Sequence, residues 1–178
     1  VLDSNDDDWQ KLRKMREIIN DYSNELTGEE KSEFSKELLE RLEDFEIKIQ
    51  KEKEKTIIHK IKVSKMDIEY KENGVVPGHI LNQFSMDEYK GNFRIATTTG
   101  STGRFSSNSL NHLYILNEDL EIIGKVEDLA KGESIYSVRF MGKRAYVVTF
   151  KKIDPLFVID VADPKNPEVL GYLKITGY

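Results

Sequence analysis

Three histidines, one acidic run and one glycine-rich loop are the residues here whose types could do chemistry. His59, His79 and His112 form no metal-ligand spacing with one another or with a carboxylate. Residues 3–8, Asp-Ser-Asn-Asp-Asp-Asp, offer spaced oxygens of the kind that ligate calcium. They lack the glycine and the distal glutamate of an EF-hand loop, so a helix N-cap is the simpler reading. Gly100-Ser101-Thr102-Gly103 could form an anion-binding nest, yet neither a lysine nor a helix follows it. A nucleophilic serine on a strained elbow would want Gly-x-Ser-x-Gly, which the chain does not contain. No catalytic residue, metal ligand set or cofactor is therefore predicted. The polar stretch Gly100–Asn111 reads either as a solvated connector or as a binding loop on a rigid scaffold.

Composition narrows the partners. Hydrophobic residues make up 38% and charged residues 33% of the 178, with a net charge of -5. That balance describes a well-charged chain with a real core and argues against nucleic acid, which selects a basic face. No apolar run approaches the ~18 residues that a transmembrane helix needs. Cysteine is absent, which removes disulfides and thiolate metal sites without settling the compartment. The chain starts at Val1 rather than Met, so it reads as part of a longer protein.

The elements that must position any site fall into two grammars. In the first third, Trp9, Leu12, Met15, Ile19, Tyr22 and Leu26 step by three or four residues, as one stripe of a helix does. Thr27-Gly28-Glu29-Glu30 reads as a capping box that opens a second helix carrying Phe34, Leu38, Leu42, Phe45 and Ile49. The short connection predicts an antiparallel αα-hairpin over 1–55, with Leu39 and Ile47 off the shared stripe. From Thr56 onward the period is two. Strands are expected at Thr56–Val63, Asp67–Tyr70, Leu81–Glu88, Phe93–Thr99, His112–Leu116, Leu120–Val126, Ile135–Met141, Arg144–Phe150, Leu156–Val161 and Glu168–Ile175.

These strands repeat. Phe84–Val126 and Val138–Leu173 each read as four strands in the same order. They end on matching phrases, Glu121-Ile122-Ile123-Gly124-Lys125-Val126 and Glu168-Val169-Leu170-Gly171-Tyr172-Leu173. Four strands in roughly 45–50 residues is the signature of a propeller blade. Laid over the first full repeat at a constant offset, His59–Val76 matches His112–Leu129, which puts His59 and His112 at equivalent strand starts. The fold class is thus mainly β with an N-terminal αα-hairpin, a partial β-propeller of four-stranded antiparallel blades. Its expected parts are 1–55, a helical hairpin inserted within a blade; 56–78, the outer half of that blade; 79–130, a full blade; and 131–178, a second full blade. Asp87, Glu88, Arg94 and Arg139 would then lie on or beside inner strands. Asp87 and Arg139 are the candidate binding residues. A carboxylate pair for glycoside hydrolysis would have to come from different blades. Uncovered blade faces and strand edges predict self-association of the chain.

Residues 81–89 (LNQFSMDEY), 94–100 (RIATTTG), 130–150 and 154–171 closely resemble the secreted β-propeller-domain family of bacterial and archaeal surface proteins. The resemblance covers about residues 56–178, and the helical hairpin is similar to a helical insertion of that family. It implies an extracellular or membrane-tethered protein with a propeller several times longer than this chain. It implies no defined enzymatic activity and transfers no active site. The expected function is a non-catalytic surface scaffold for a protein or glycan. The alternative is an extracellular hydrolase whose catalytic groups lie on other blades.

Overall fold

A computed structural model describes residues 8–102, 108–150 and 154–175. The acidic run at 3–7, the centre of the glycine-rich loop at 103–107 and residues 151–153 lie outside the described residues. The chain divides into two compact units, residues 1–49 and 50–178.

The first unit is the helical hairpin. Helix α1 spans Asp8–Glu25 and helix α2 spans Gly28–Lys53, opening directly after Thr27. Two acidic residues in the first turn of α2 and two lysines in its last turn complement the helix dipole. Leu12 of α1 and Leu42 of α2 are buried. Tyr22 meets Phe34 edge to face at 5.0 Å, and Arg16 pairs with Glu46 across the hairpin.

The second unit contains three sheets. The first is a hairpin of β1 (Lys55–Ser64) and β2 (Asp67–Pro77). The second runs in the order β3 (Met86–Tyr89), β4 (Asn92–Thr99), β5 (Leu110–Leu116), β6 (Ile122–Leu129). The third has β7 (Ser134–Met141), β8 (Arg144–Phe150), β9 (Asp154–Asp160) and β10 (Glu168–Ile175), again side by side in chain order. Every pair is antiparallel, so each four-stranded sheet is a simple meander.

Three expected strands differ, one being β6, which starts at Ile122 and not at Leu120 because Leu120, with a φ of 56°, belongs to the turn. Residues 81–88 do not form one strand. The Asn82 side chain accepts from Phe84 N–H and caps a 3-10 turn at Gln83–Ser85, so β3 starts only at Met86. Strand β2 runs on to Pro77, past Tyr70, because its pairing with β1 supplies backbone partners that the polar run Lys71-Glu72-Asn73 does not advertise.

Both sheets turn tightly where their inner strands meet. Tyr89 pairs with Asn92 and Met141 with Arg144, leaving two-residue loops. Lys90 and Gly91 have φ of 52° and 79°, the paired positive angles that match strand twist in a two-residue hairpin. These turns align the two sheets residue by residue. Asp87 corresponds to Arg139, and Arg94 to Tyr146. Through the cross-strand partners, Ile115 corresponds to Val158 and Gly124 to Gly171.

The sheets stack face to face. One face of β3–β6 contributes Ala96, Leu113 and Ile115 to a core completed by Ile135, Val138, Ala145, Val147, Ile159 and Val161 of the next sheet. The opposite face contributes Ile95, Tyr114 and Leu116 to a second core with Val76 and Ile58 of the β1–β2 hairpin. Strands of this kind need cover on both faces, which explains why β5 is buried at every position.

The stacking is close enough to exclude a side chain. A Cβ on Gly74 would lie 2.6 Å from the Leu120 carbonyl oxygen, and one on Gly124 would overlap the Pro164 carbonyl oxygen. Gly74 is opposite Ile58 on β1, and Gly124 is opposite Ile115 on β5, so the two glycines hold the same station in successive sheets. At Gly171, opposite Val158, the space is open. Gly124→Ala is therefore expected to cost about 2 kcal/mol by forcing the sheets apart. Gly171→Ala should change stability little in this chain. Denaturant unfolding of the two variants checks the contrast.

Candidate functional site

Asp87 and Arg139 sit at corresponding positions on the two innermost strands, yet they have different partners. Arg94 grips Asp87 in a forked ion pair, Nε to Oδ1 at 2.6 Å and Nη2 to Oδ2 at 2.5 Å. Its remaining Nη1 donates to the Gly142 carbonyl in the next sheet at 2.6 Å. The guanidinium also lies 4.7 Å from the Tyr89 ring centre and 5.0 Å from that of Phe140. Arg94 is 1% exposed, so this is a buried bolt between sheets rather than a channel-lining charge. Arg139 instead stacks over Phe84, 4.1 Å from its ring centre. The two candidates are thus not brought together. Glu88 is exposed beside the turn.

A second polar constellation surrounds His112 on β5, which is buried. The Asp128 backbone N–H donates to Nδ1 at 3.2 Å. Nδ1 must then be bare, and Nε2–H donates to the Thr99 hydroxyl at 2.9 Å. Burial, and then Lys51, hold this imidazole well below its ordinary value, at about 4, against the opposing pull of Asp128 and Glu127. Lys51 at the end of α2 reaches Asp128 at 2.9 Å and Glu127 at 3.3 Å. Glu127 also takes Lys125 at 2.6 Å and accepts from the Tyr114 hydroxyl at 2.9 Å. Burial opposes its ionisation, but these donors prevail and keep it at about 2. Burial and then Glu127 push the Tyr114 phenol upward.

His59 is exposed, on the face of β1 that pairs with Tyr70. By register Ile58 matches Ile115, so His59 matches Leu116 and not His112. The constant offset fails because the β1–β2 hairpin is longer: Gly74 follows Ile58 by 16 residues, whereas Gly124 follows Ile115 by 9. His79 forms an isolated bridge to Thr98 at the rim.

Buried hydroxyls and amides fasten the strand ends under the glycine-rich loop. Thr98 donates to Asn111 Oδ1 at 2.8 Å, and Thr149 donates to Glu133 at 2.6 Å. Asn111 Nδ2 donates to the carbonyls of Leu129 and Glu133. Glu54 accepts from Gly100 N–H at 2.8 Å, so the start of this loop is held from the α2–β1 junction. Surface recesses are open and mixed in charge. One of about 380 Å³ lies between β1 and the turns of the second sheet, lined by His59, Lys60, Glu88, Phe93 and Glu118. No helix among the described residues is long and apolar enough to cross a membrane.

The sequence over residues 20–178, which includes both stacked meanders, matches the family model of the beta propeller domain. The chain belongs to this family. An uncharacterized protein of Methanocaldococcus jannaschii is 45% identical over 171 residues, 96% of this chain and 27% of that protein. One of Archaeoglobus fulgidus is 40% identical over 153 residues, 86% of this chain and 23% of that protein. The propeller chain thus spans about a quarter of the length of these relatives. No solved structure matches it significantly.

The sequence puts Asp87 and Arg94 on or beside inner strands without showing the ion pair. The signal was the tight turn between them, which makes them cross-strand partners. Asp87→Ala should destabilise by about 3 kcal/mol, because it strands a buried guanidinium. Arg139→Ala should cost less than about 1 kcal/mol. Equilibrium unfolding compares them. The His112 imidazole is neutral when folded and takes up a proton on unfolding below pH 6.5. Stability should therefore fall as pH drops from 6.5 to about 4, by up to about 3 kcal/mol, and this loss then levels off. Glu127 adds a further loss as pH falls from 4.5 toward about 2. Unfolding curves at pH 7 and pH 4.5 should converge for His112→Gln relative to the parent.

Proposed function

We propose that the protein is a non-catalytic propeller scaffold, displayed outside the cell, that holds a protein or glycan partner on a ring face or on its loops. The observation that carries this reading is how its strongest polar groups are used. Arg94 and Asp87 bolt two sheets together, and both ring nitrogens of His112 are committed to the fold. A general base needs a free lone pair facing substrate, and the His112 lone pair faces a backbone N–H instead. The placement outside the cell rests on the resemblance carried by 81–100 and 130–171. The hairpin α1–α2 is read as an insertion within a blade whose outer half is β1–β2. The shared station of Gly74 and Gly124 supports that assignment, since it makes β1 and β2 equivalent to β5 and β6.

The test uses the complete encoded protein against panels of peptides and glycans, with both binding and turnover measured. Saturable binding without turnover is expected. Hydrolysis abolished by one acidic or histidine substitution would show an enzyme instead. Protease added to intact producing cells should remove the protein, whereas full protection would place it inside.

A further inference from the structure

We infer that the outer end of the β1–β2 hairpin is a docking arm for a second copy of this protein, the two arms packing apolar face to apolar face about a two-fold axis. The arm stands clear of the stacked sheets. Past the pair Ile58–Gly74, β1 and β2 continue for six more pairs, to Ser64–Asp67. Past the equivalent pair Ile115–Gly124, β5 and β6 have only Leu116–Ile122 before their turn. Past Val158–Gly171, β9 and β10 have two pairs. The hairpin therefore overtops those turns by five and four pairs, roughly 15 Å. Lys60 Nζ, which donates to the Glu118 carbonyl at 2.6 Å, marks the level at which the β5–β6 turn ends. A neighbouring sheet of either described length stops short of the arm, so stacking within a ring leaves it bare.

The two faces of the arm are unlike. Lys60 stands opposite Glu72 and Lys62 opposite Glu69, on the face turned toward the β5–β6 turn. The reverse face alternates with them and is apolar, with Ile61 opposite Tyr70, Val63 opposite Ile68, and Met66 at the tip. Met66 is 98% exposed, Ile68 76% and Val63 70%, and the other two are more than half open. Met66 shares a two-residue turn with Lys65, whose φ is 51°, where Gly, Asn or Asp is the ordinary choice. A methionine in that place serves contact, since its thioether chain adapts to the surface it meets. A contiguous apolar strip of this kind marks an interaction site.

Area and charge choose the occupant. A residue of this size has on the order of 200 Å² of surface when fully open. Five at these exposures leave roughly 700 Å² per copy, close to the ~800 Å² per partner of a standard interface. A face that meets itself across a two-fold axis needs no second shape to match it. The charges permit that meeting. The chain carries a net charge of -5, but between 60 and 72 four lysines stand against Asp67, Glu69 and Glu72. Lys71 and Glu69 pair at 2.5 Å. Two nearly neutral arms can approach where two acidic bodies repel. An anionic bilayer or a nucleic acid selects a plainly basic arm, without three carboxylates. The joint is independent of what the ring binds.

The test is the mass of the complete encoded protein by sedimentation equilibrium over a concentration series. A dimer is expected. Val63→Lys with Ile68→Lys should weaken it about 100-fold or more, because four lysines would be buried against one another. Val63→Glu with Ile68→Glu should do the same. Mixing the two variants in equal amounts should restore the dimer, since each arm then meets the opposite charge. Both positions are exposed, so the variants should keep the parent's circular dichroism spectrum. A variant that loses it is replaced by Met66→Lys or Met66→Glu at the tip, read in the same way. A parent that stays monomeric at about 100 μM overturns the inference. That holds equally if the monomer co-sediments with phosphatidylglycerol vesicles, because lipid would then be the cover. A dimer that both variants leave intact, or one that mixing fails to restore, also overturns it.

Discussion

The architecture depends on how near two β-sheets may come. Stacked sheets ordinarily keep about 10 Å between them, a distance set by the side chains of both. Here the outer strand of one sheet gives up its side chain at one station, and the backbone of the next sheet moves into the gap. That approach lets Leu120, itself at a φ of 56°, bridge from its turn onto β2. It also brings Pro164 over β6, in a turn that Pro164, Pro167 and Asp163 together make stiff. Once those contacts are set, the apolar faces have no freedom to slide, and the core residues of adjacent sheets are forced into one register.

Polar groups work around that geometry in a consistent way. Each sheet-to-sheet joint carries a donor aimed at a backbone carbonyl rather than at solvent. Arg94 does this at the inner end, while the Thr97 hydroxyl donates to the Pro77 carbonyl at 2.7 Å on the other face. The charge of Arg94 is tolerable in a dry joint only because Asp87 neutralises it in a planar, two-bond embrace. Near the outer strands the same logic produces the cluster of Lys51, Glu127, Asp128, Tyr114 and His112, where a lysine in the last turn of a helix is matched by two carboxylates on a strand.

Much of this was legible in the chain itself. Alternating apolar residues marked nearly every strand, and the recurrence of Gly124 and Gly171 inside matching phrases marked the repeat. What the pattern hid were features made by distant pairing. Arg94 looks like a solvated charge until its cross-strand partner is known. His59 and His112 look equivalent because a constant spacing along the sequence ignores that the β1–β2 hairpin reaches further past its paired glycine than the β5–β6 hairpin does. The segment Leu81–Ser85 has the alternation of a strand, but a single asparagine cap diverts it into a tight turn. The repeated glycine phrase reads as the end of a repeat, whereas its meaning is a steric one that a neighbouring sheet reveals.

The joints also have a direction in time. Within each four-stranded sheet every pairing joins neighbours in the chain, so a sheet can form as soon as its own residues have been made. Both glycine stations, however, are filled from the sheet that is synthesised later. A nascent sheet would therefore leave the ribosome with one face already covered by its predecessor and the other waiting for its successor. The molecule is built like a zip that closes from the N-terminal side, with the newest tooth always the one whose apolar face is bare.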